Sequence, residues 1–173
     1  MDRADASFRI DSYKFLPRSM IPEFKAFPYQ ADDLVNASAS VPLRNARVAL
    51  LTSGGLYLKD RQLSFDLDRE RQEPFWGDPT YRIIPRDVRH GQIAVAHLHL
   101  NPDDILTDFN VALPLEVFAA LEREGEIGSV AQRNYSFMGY QGRSIEAWQH
   151  TYGPELVERL TEDAVNLLIL APT

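Results

Sequence analysis

Cysteine is absent from this sequence altogether. That excludes a disulfide, cysteine-ligated zinc and a cysteine nucleophile within these residues. Basic residues are outnumbered, 18 Lys and Arg against 25 Asp and Glu, for a net charge of −7. This balance argues against nucleic acid and against an anionic membrane surface as partners, since both select a basic face. No apolar run approaches the roughly 20 residues that span a bilayer. The opening MDRADASFRI is charged and has no apolar centre, unlike a secretory leader. A cytoplasmic location is the default expectation. Three catalytic or nucleotide-binding signatures are also missing: no G-x-S-x-G elbow surrounds Ser53 or Ser136, no Gly-Lys-Ser/Thr follows a strand, and there is no G-x-G-x-x-G. Internal repeats and low-complexity tracts are absent as well.

What is present is an ordinary globular composition, 45% apolar and 25% charged over 173 residues, enough for one domain with a sizeable core. Residues 1–45 show no clean period but carry Phe15, Pro17, Pro22, Phe24, Phe27, Pro28 and Tyr29. They read as an irregular arm with short helical pieces, wrapped on its own core or on a partner chain. Asp32, Asp33 and Ser38–Ser40 read as a polar linker. From residue 46 onward the pattern sharpens. Val48–Leu51 is a short continuous apolar run, as a strand buried on both faces requires. Tyr81–Ile84 and the alternating stretch 93–100 read as further strands. Leu115, Phe118, Ala119 and Leu121 follow a helical period from Pro114 to the stop at Gly125. A second helix with Leu156, Val157 and Leu160 inward feeds the last strand, Val165–Leu170. Strands alternating with helices predict an α/β fold over 46–173, with a mostly parallel sheet covered by helices on both faces.

Several residues can carry chemistry. Thr52-Ser53-Gly54-Gly55 follows the buried strand; hydroxyls and glycines there let backbone approach a ligand and turn N–H groups toward an anion, or simply make a tight turn. The long charged segment 61–85 has the length of a functional loop, and Asp78, between Gly77 and Pro79, is either a turn initiator or a ligand contact. His97 and His99 share one face of the 93–100 stretch. That spacing suits acid–base work, substrate binding, a metal completed by Asp103, Asp104 or Asp108, or structural polar contacts. Tyr135, Ser136 and Tyr140, in a glycine- and aromatic-rich loop, offer hydroxyls to a small-molecule pocket or anchor the loop. Glu126 is a turn residue or a general base.

Taken together, LLTSGGLYLK (50–59), GDPTYRIIP (77–85), AHLHLNPDD (96–104), NVALPLEVFAALEREGEIGSVAQRNYSFMGY (110–140) and VNLLILAPT (165–173) resemble the selenoprotein B family. These are the B components of glycine, sarcosine and betaine reductases, beside the D-proline reductase selenoprotein subunit. The resemblance covers about residues 45–173, and EGEIGS…YSFMGY is its most specific part. It implies an α/β fold and reductive cleavage of a C–N bond in a small amino acid or amine. It also implies a selenocysteine or cysteine just after the last strand, which here means just after Thr173. These residues contain no such nucleophile, so the expectation is a family member ending at its selenocysteine codon. A cysteine-type member cut for another reason, or a variant without catalysis, is the alternative.

On that resemblance His97 or His99 supplies the proton for the departing amine, and no metal is needed. Thr52, Ser53 and the Gly54–Gly55 amides hold a substrate carboxylate, and the 135–140 segment walls the pocket. Asp78 joins the substrate contacts. A companion subunit would bring any pyruvoyl group, since no pyruvoyl-forming sequence is visible here. An apolar patch near Leu170 would then promote self-association or be covered by the N-terminal arm. Two rivals stand beside this reading: a His97/His99 metal enzyme on the same scaffold, and a non-catalytic binding or scaffold subunit.

Overall fold

The computed structural model describes residues 18–19, 21–26, 39–73 and 76–173. The chain divides into two units, Met1–Ser38 and Ala39–Thr173. In the first, Ile21–Ala26 forms a short helix, α1. Phe15, Pro17, Phe27, Pro28, Tyr29, Asp32 and Asp33, on which the arm-and-linker reading rests, lie outside the described residues.

The second unit is organised around β1 (Arg47–Thr52), whose Val48, Ala49 and Leu50 have no exposed surface. The continuous apolar run has the expected cause: β1 is the central strand, paired on both edges and covered on both faces. Along one edge it pairs in parallel with β7 (Leu167–Ala171), from Val48↔Leu167 to Thr52↔Ala171. Along the other it pairs in parallel first with β5 (Ser129–Val130), then with β6 (Arg133–Ser136). The register runs from Val48↔Val130 to Leu51↔Tyr135, three steps on β1 against five on its partner. The two extra residues bulge out of the ladder. Asn134 repairs the gap: its Oδ1 accepts from the Leu50 amide at 2.9 Å and its Nδ2 donates to the Ala131 carbonyl at 3.2 Å, both fully buried.

β3 (Arg82–Pro85) runs antiparallel to β6, so the mostly parallel sheet is mixed at this edge. β2 (Leu56–Leu58) and β4 (Ile93–Val95) form a separate antiparallel pair. The 129–136 stretch, expected as loop, is thus sheet; its bulge hides the alternation that marks a strand.

Helices lie on both faces of the sheet, as expected. Val48 and Leu50 pack with Leu115, Phe118 and Leu121 of α4 (Leu115–Arg123) and with Ile105 of α3 (Asp103–Thr107). Leu51 and Leu168 pack on the opposite face with Leu156 and Leu160 of α6 (Gly153–Glu162). Each fully buried leucine contributes roughly 1.5–3 kcal/mol relative to an exposed one. Val157 was expected inward but is 61% exposed. Leu156 and Leu160 are four residues apart and share a stripe, while Val157 is turned 100° away from Leu156. A short helix, α5 (Ile145–Ala147), and a π-helical turn (Trp148–Tyr152) lead into α6.

Both long helices end in the same six-residue closure. After α4, Gly125 N–H bonds to the Glu122 carbonyl and Glu126 N–H to that of Leu121. After α6, Ala164 N–H bonds to Thr161 and Val165 N–H to Leu160. The closure requires a left-handed residue, here Gly125 at φ 74° and Ala164 at φ 52°. Glu126 therefore takes the turn role. At the sheet edge β7 is half-buried, and its Leu170 is 65% exposed.

Candidate functional site at the carboxyl ends of the parallel strands

β1 and β7 run parallel, so their carboxyl ends emerge side by side, and the turn after β1 meets the segment after β7. Thr52 is wholly buried; its Oγ1 accepts from the Gly54 amide at 3.1 Å and lies 3.2 Å from Thr173 Oγ1. Ser53 Oγ accepts from the Thr173 amide at 2.9 Å. The two chain segments are therefore laced together by hydroxyls.

The glycines serve the fold here. Gly55 has φ 65°, and a Cβ at this position would sit 2.1 Å from the Ala96 carbonyl oxygen. Its amide donates to the Phe137 carbonyl at 3.1 Å, and its carbonyl accepts from the Ala96 amide at 2.9 Å. The Ser53 amide donates to Ala171 at 3.4 Å. The Gly54 and Gly55 amides, expected to cradle a carboxylate, are thus engaged inside the protein, as is that of Ser53. Thr52 Oγ1 is likewise buried and bonded, and of the two turn hydroxyls Ser53 is the half-buried one.

His97 joins this cluster from the other side. β4 ends at Val95, so His97 and His99 lie beyond the strand, His99 in a bend, rather than on its face. Their rings still meet edge to face, with centroids 6.1 Å apart. His97 Nδ1 accepts from the His99 amide at 3.1 Å. The neutral ring must then carry its proton on Nε2. A Cβ at Gly139 would lie 3.3 Å from that Nε2 and 3.8 Å from Ser53 Cβ, so this bare glycine is what separates imidazole from serine. Burial, and then the neighbouring His99, push the His97 pKa below its ordinary 6.5. The geometry thus supplies a half-buried neutral N–H donor beside Gly139, the residue that also neighbours Ser53.

A further residue belongs to this neighbourhood and was read only as part of a charged loop. Asp66 caps α2 (Leu67–Gln72) by accepting from the Arg69 amide at 3.0 Å. α2 carries Glu70, 6% exposed, with Oε1 3.6 Å from His99 Nε2. Glu70 Oε2 is buried and finds no hydrogen-bond partner among the described residues. Burial raises the Glu70 pKa, against the opposing pull of His99 and Arg71. A charged stretch such as LDRERQ gives no hint of which carboxylate turns inward; only the Asp66 cap signals the helix.

The remaining candidates lie elsewhere. Asp78 Oδ2 accepts from the Asp66 amide at 3.0 Å and its Oδ1 from the Thr80 amide at 2.9 Å, the bonding of a turn organiser. Ser136 is fully buried, its Oγ accepting from the Leu56 amide at 2.7 Å. Tyr135 is fully buried against Tyr81, ring centroids 5.8 Å apart, and burial pushes its phenol up to about 12. Tyr140 is half-buried, with its carbonyl packed against Gly77. Asp108 pairs with His90 at 3.0 Å, not with His97 or His99. Among the described residues no group of three or more His, Asp or Glu side chains converges as a metal site. A cavity of about 330 Å³ lined by Arg61, Asp87 and Arg89, and another of about 410 Å³ beside Trp76 and His150, share none of the strand-end residues.

The family model described as glycine/sarcosine/betaine reductase selenoprotein B matches residues 21–173. The chain belongs to this family. It is 29% identical over 128 residues to the D-proline reductase subunit gamma of Acetoanaerobium sticklandii, covering 74% of this chain and 49% of that one. It is 28% identical over 147 residues to the betaine reductase complex component B subunit beta of Peptoclostridium acidaminophilum, covering 84% of this chain and 32% of that one. The chain thus spans about half the length of the first relative and about a third of the second. No solved structure matches it. Both relatives are, by name, subunits of larger reductases, and the selenoprotein B match extends over the whole strand-end cluster. Among the described residues no helix is long and apolar enough to cross a membrane.

Proposed function

We propose that this selenoprotein B family chain forms the substrate-side scaffold of a reductase subunit that cleaves a C–N bond in a small amino acid or amine. The observation that carries the reading is the bonding of Ser53 to Thr173 at the carboxyl ends of parallel strands, with Ser53 and His97 Nε2 both beside Gly139. That position is where open α/β sheets place their ligands. In this reading Ser53, Thr173 and the His97 Nε2–H hold the substrate, and the redox nucleophile is a selenocysteine or cysteine in the residues that follow Thr173 in the full-length protein. The Thr173 amide lies 2.9 Å from Ser53 Oγ and its carbonyl oxygen 3.5 Å from the same hydroxyl. The chain itself contains no cysteine.

A selenolate or thiolate forms a bond to carbon as the C–N bond breaks, and the electron pair leaves on nitrogen, which takes up a proton from the imidazolium form of His97 or His99 and leaves that ring neutral. A thiolate then attacks the selenium or sulfur, and carbon takes a second proton. An external dithiol reduces the resulting selenenyl sulfide or disulfide. The cytoplasm, which keeps such thiols reduced, is the compartment we assign. A companion subunit completes the enzyme and is the place for any pyruvoyl group. The exposed Leu170 edge favours self-association of this chain; Leu170→Lys should then lower the sedimentation-derived mass, and an unchanged mass would count against it.

The test is turnover by the full-length subunit with its companion, a dithiol and a panel of D-proline, glycine, sarcosine and betaine. Cleavage of one of these, reduced at least about a hundredfold by His97→Gln, supports the reading. Tight binding of a small amine without cleavage would instead favour the non-catalytic subunit.

A further inference from the structure

Glu70 is the buried carboxylate that the scheme above leaves unused. It is 6% exposed, its Oε2 has no hydrogen-bond partner among the described residues, and Oε1 sits 3.6 Å from His99 Nε2. Leaving a carboxylate oxygen buried and unbonded costs several kcal/mol, which the surroundings must offset. The groups facing it are His99, Arg71 on its own helix and Asp78, which in turn lies 3.9 Å from Arg82. His99 has 65% of its side chain in solvent, so an exposed imidazole on a bend would ordinarily be free to turn away. Among the described residues that ring is met by Glu70 and, edge to face, by His97. The backbone amide of the same residue is what engages His97 Nδ1, at 3.1 Å.

We infer that Glu70 is a positioning residue that acts through His99: by anchoring the His99 ring it holds the His99 amide on His97 Nδ1, and so fixes His97 as an Nε2–H donor for an anionic oxygen at the strand ends. What this donor serves rests on the proposed function; the anchoring itself does not. Without the anchor the bend relaxes, Nδ1 loses its donor, and the neutral ring distributes its proton over both nitrogens.

The test reads the His97 ring directly, by ¹⁵N-resolved NMR on the 173-residue chain, and needs no turnover. In the wild type, neutral His97 should be the Nε2–H tautomer by about ten to one or more, the bias that one backbone hydrogen bond supplies. Glu70→Ala should reduce that ratio several-fold and move the His97 titration midpoint up toward its ordinary 6.5. Glu70→Gln, which keeps an acceptor beside His99, should retain most of the bias. An unchanged ratio and midpoint in a folded Glu70→Ala chain, or a wild-type His97 protonated on Nδ1, would overturn the inference. Should Glu70→Ala fail to fold, His99→Gln at the exposed end of the same link gives the same test, and a full tautomer bias there would overturn it equally. Loss of the bias with no loss of turnover in the full-length subunit would leave this inference standing and sink the catalytic role of His97.

Discussion

Gly55→Ala should destabilise the protein more than any other single methyl addition to the strand-end turn. Two costs combine. The left-handed φ of 65° costs an alanine about 1 kcal/mol. The added Cβ would stand 2.1 Å from the Ala96 carbonyl oxygen, a backbone atom that cannot swing aside. Relief requires β2 and β4 to separate locally, weakening the Ala96-to-Gly55 and Gly55-to-Phe137 hydrogen bonds of 2.9 and 3.1 Å. Each is a net contribution of about 1 kcal/mol. The sum is about 3 kcal/mol, readable as a lower urea midpoint at unchanged slope. Gly125→Ala is the control. It has φ 74° but nothing within 4 Å of the added methyl, so it should lose only the conformational cost of about 1 kcal/mol. Equal losses in the two variants would refute the close-approach argument. Because Ala96 precedes His97, Gly55→Ala should also disturb the His97 resonances, whereas Gly125→Ala should not.

Three further outcomes follow from the same structure. Ala164→Gly, at the left-handed closure of α6, should raise stability by about 0.5–1 kcal/mol, and a loss in thermal unfolding would contradict the closure geometry. Tyr135→Phe removes a buried hydroxyl without a partner among the described residues; stability should stay within about 1 kcal/mol of wild type and turnover of the full-length subunit should not change, while a large turnover loss would restore Tyr135 to the site. Burial alone would raise Glu122, but Arg86, 2.6 Å away, and the Val130 amide at 3.1 Å outweigh it and hold its pKa below the ordinary 4.5. A depressed pKa stabilises the fold above about 4.5, and that contribution is lost as pH falls through the lower folded value. Acid titrations of stability should therefore show a component below 4.5 that vanishes in Glu122→Gln, and an identical acid limb in both proteins would refute it.

Much of the fold was legible because burial leaves a periodic trace. Val48–Leu51 identified the central strand, and the Pro114-to-Gly125 frame identified α4 with its closure. The elements that escaped are those where tertiary contacts replace local pattern. The bulge between Val130 and Arg133 breaks the alternation of β5 and β6, and Asn134, a polar residue wholly inside, repairs it. The H-x-H stretch alternates like a strand through Leu100, yet β4 stops at Val95 because its antiparallel partner β2 begins at Leu56, and Ala96 already bonds across to Gly55. At the strand ends, the sequence pattern placed Thr52 and Ser53 directly after the buried apolar run, where the structure has them. The division of labour was not legible: that the 53–55 amides are spent internally, and that one glutamate of a charged helix turns inward to His99, are facts of packing that residue type does not encode.

The most direct test of the central claim is to read the source gene through and beyond codon 173. The account predicts a UGA or cysteine codon close after Thr173, with an in-frame continuation that bears the nucleophile. A UAA or UAG immediately after codon 173, with no continuation, would contradict it.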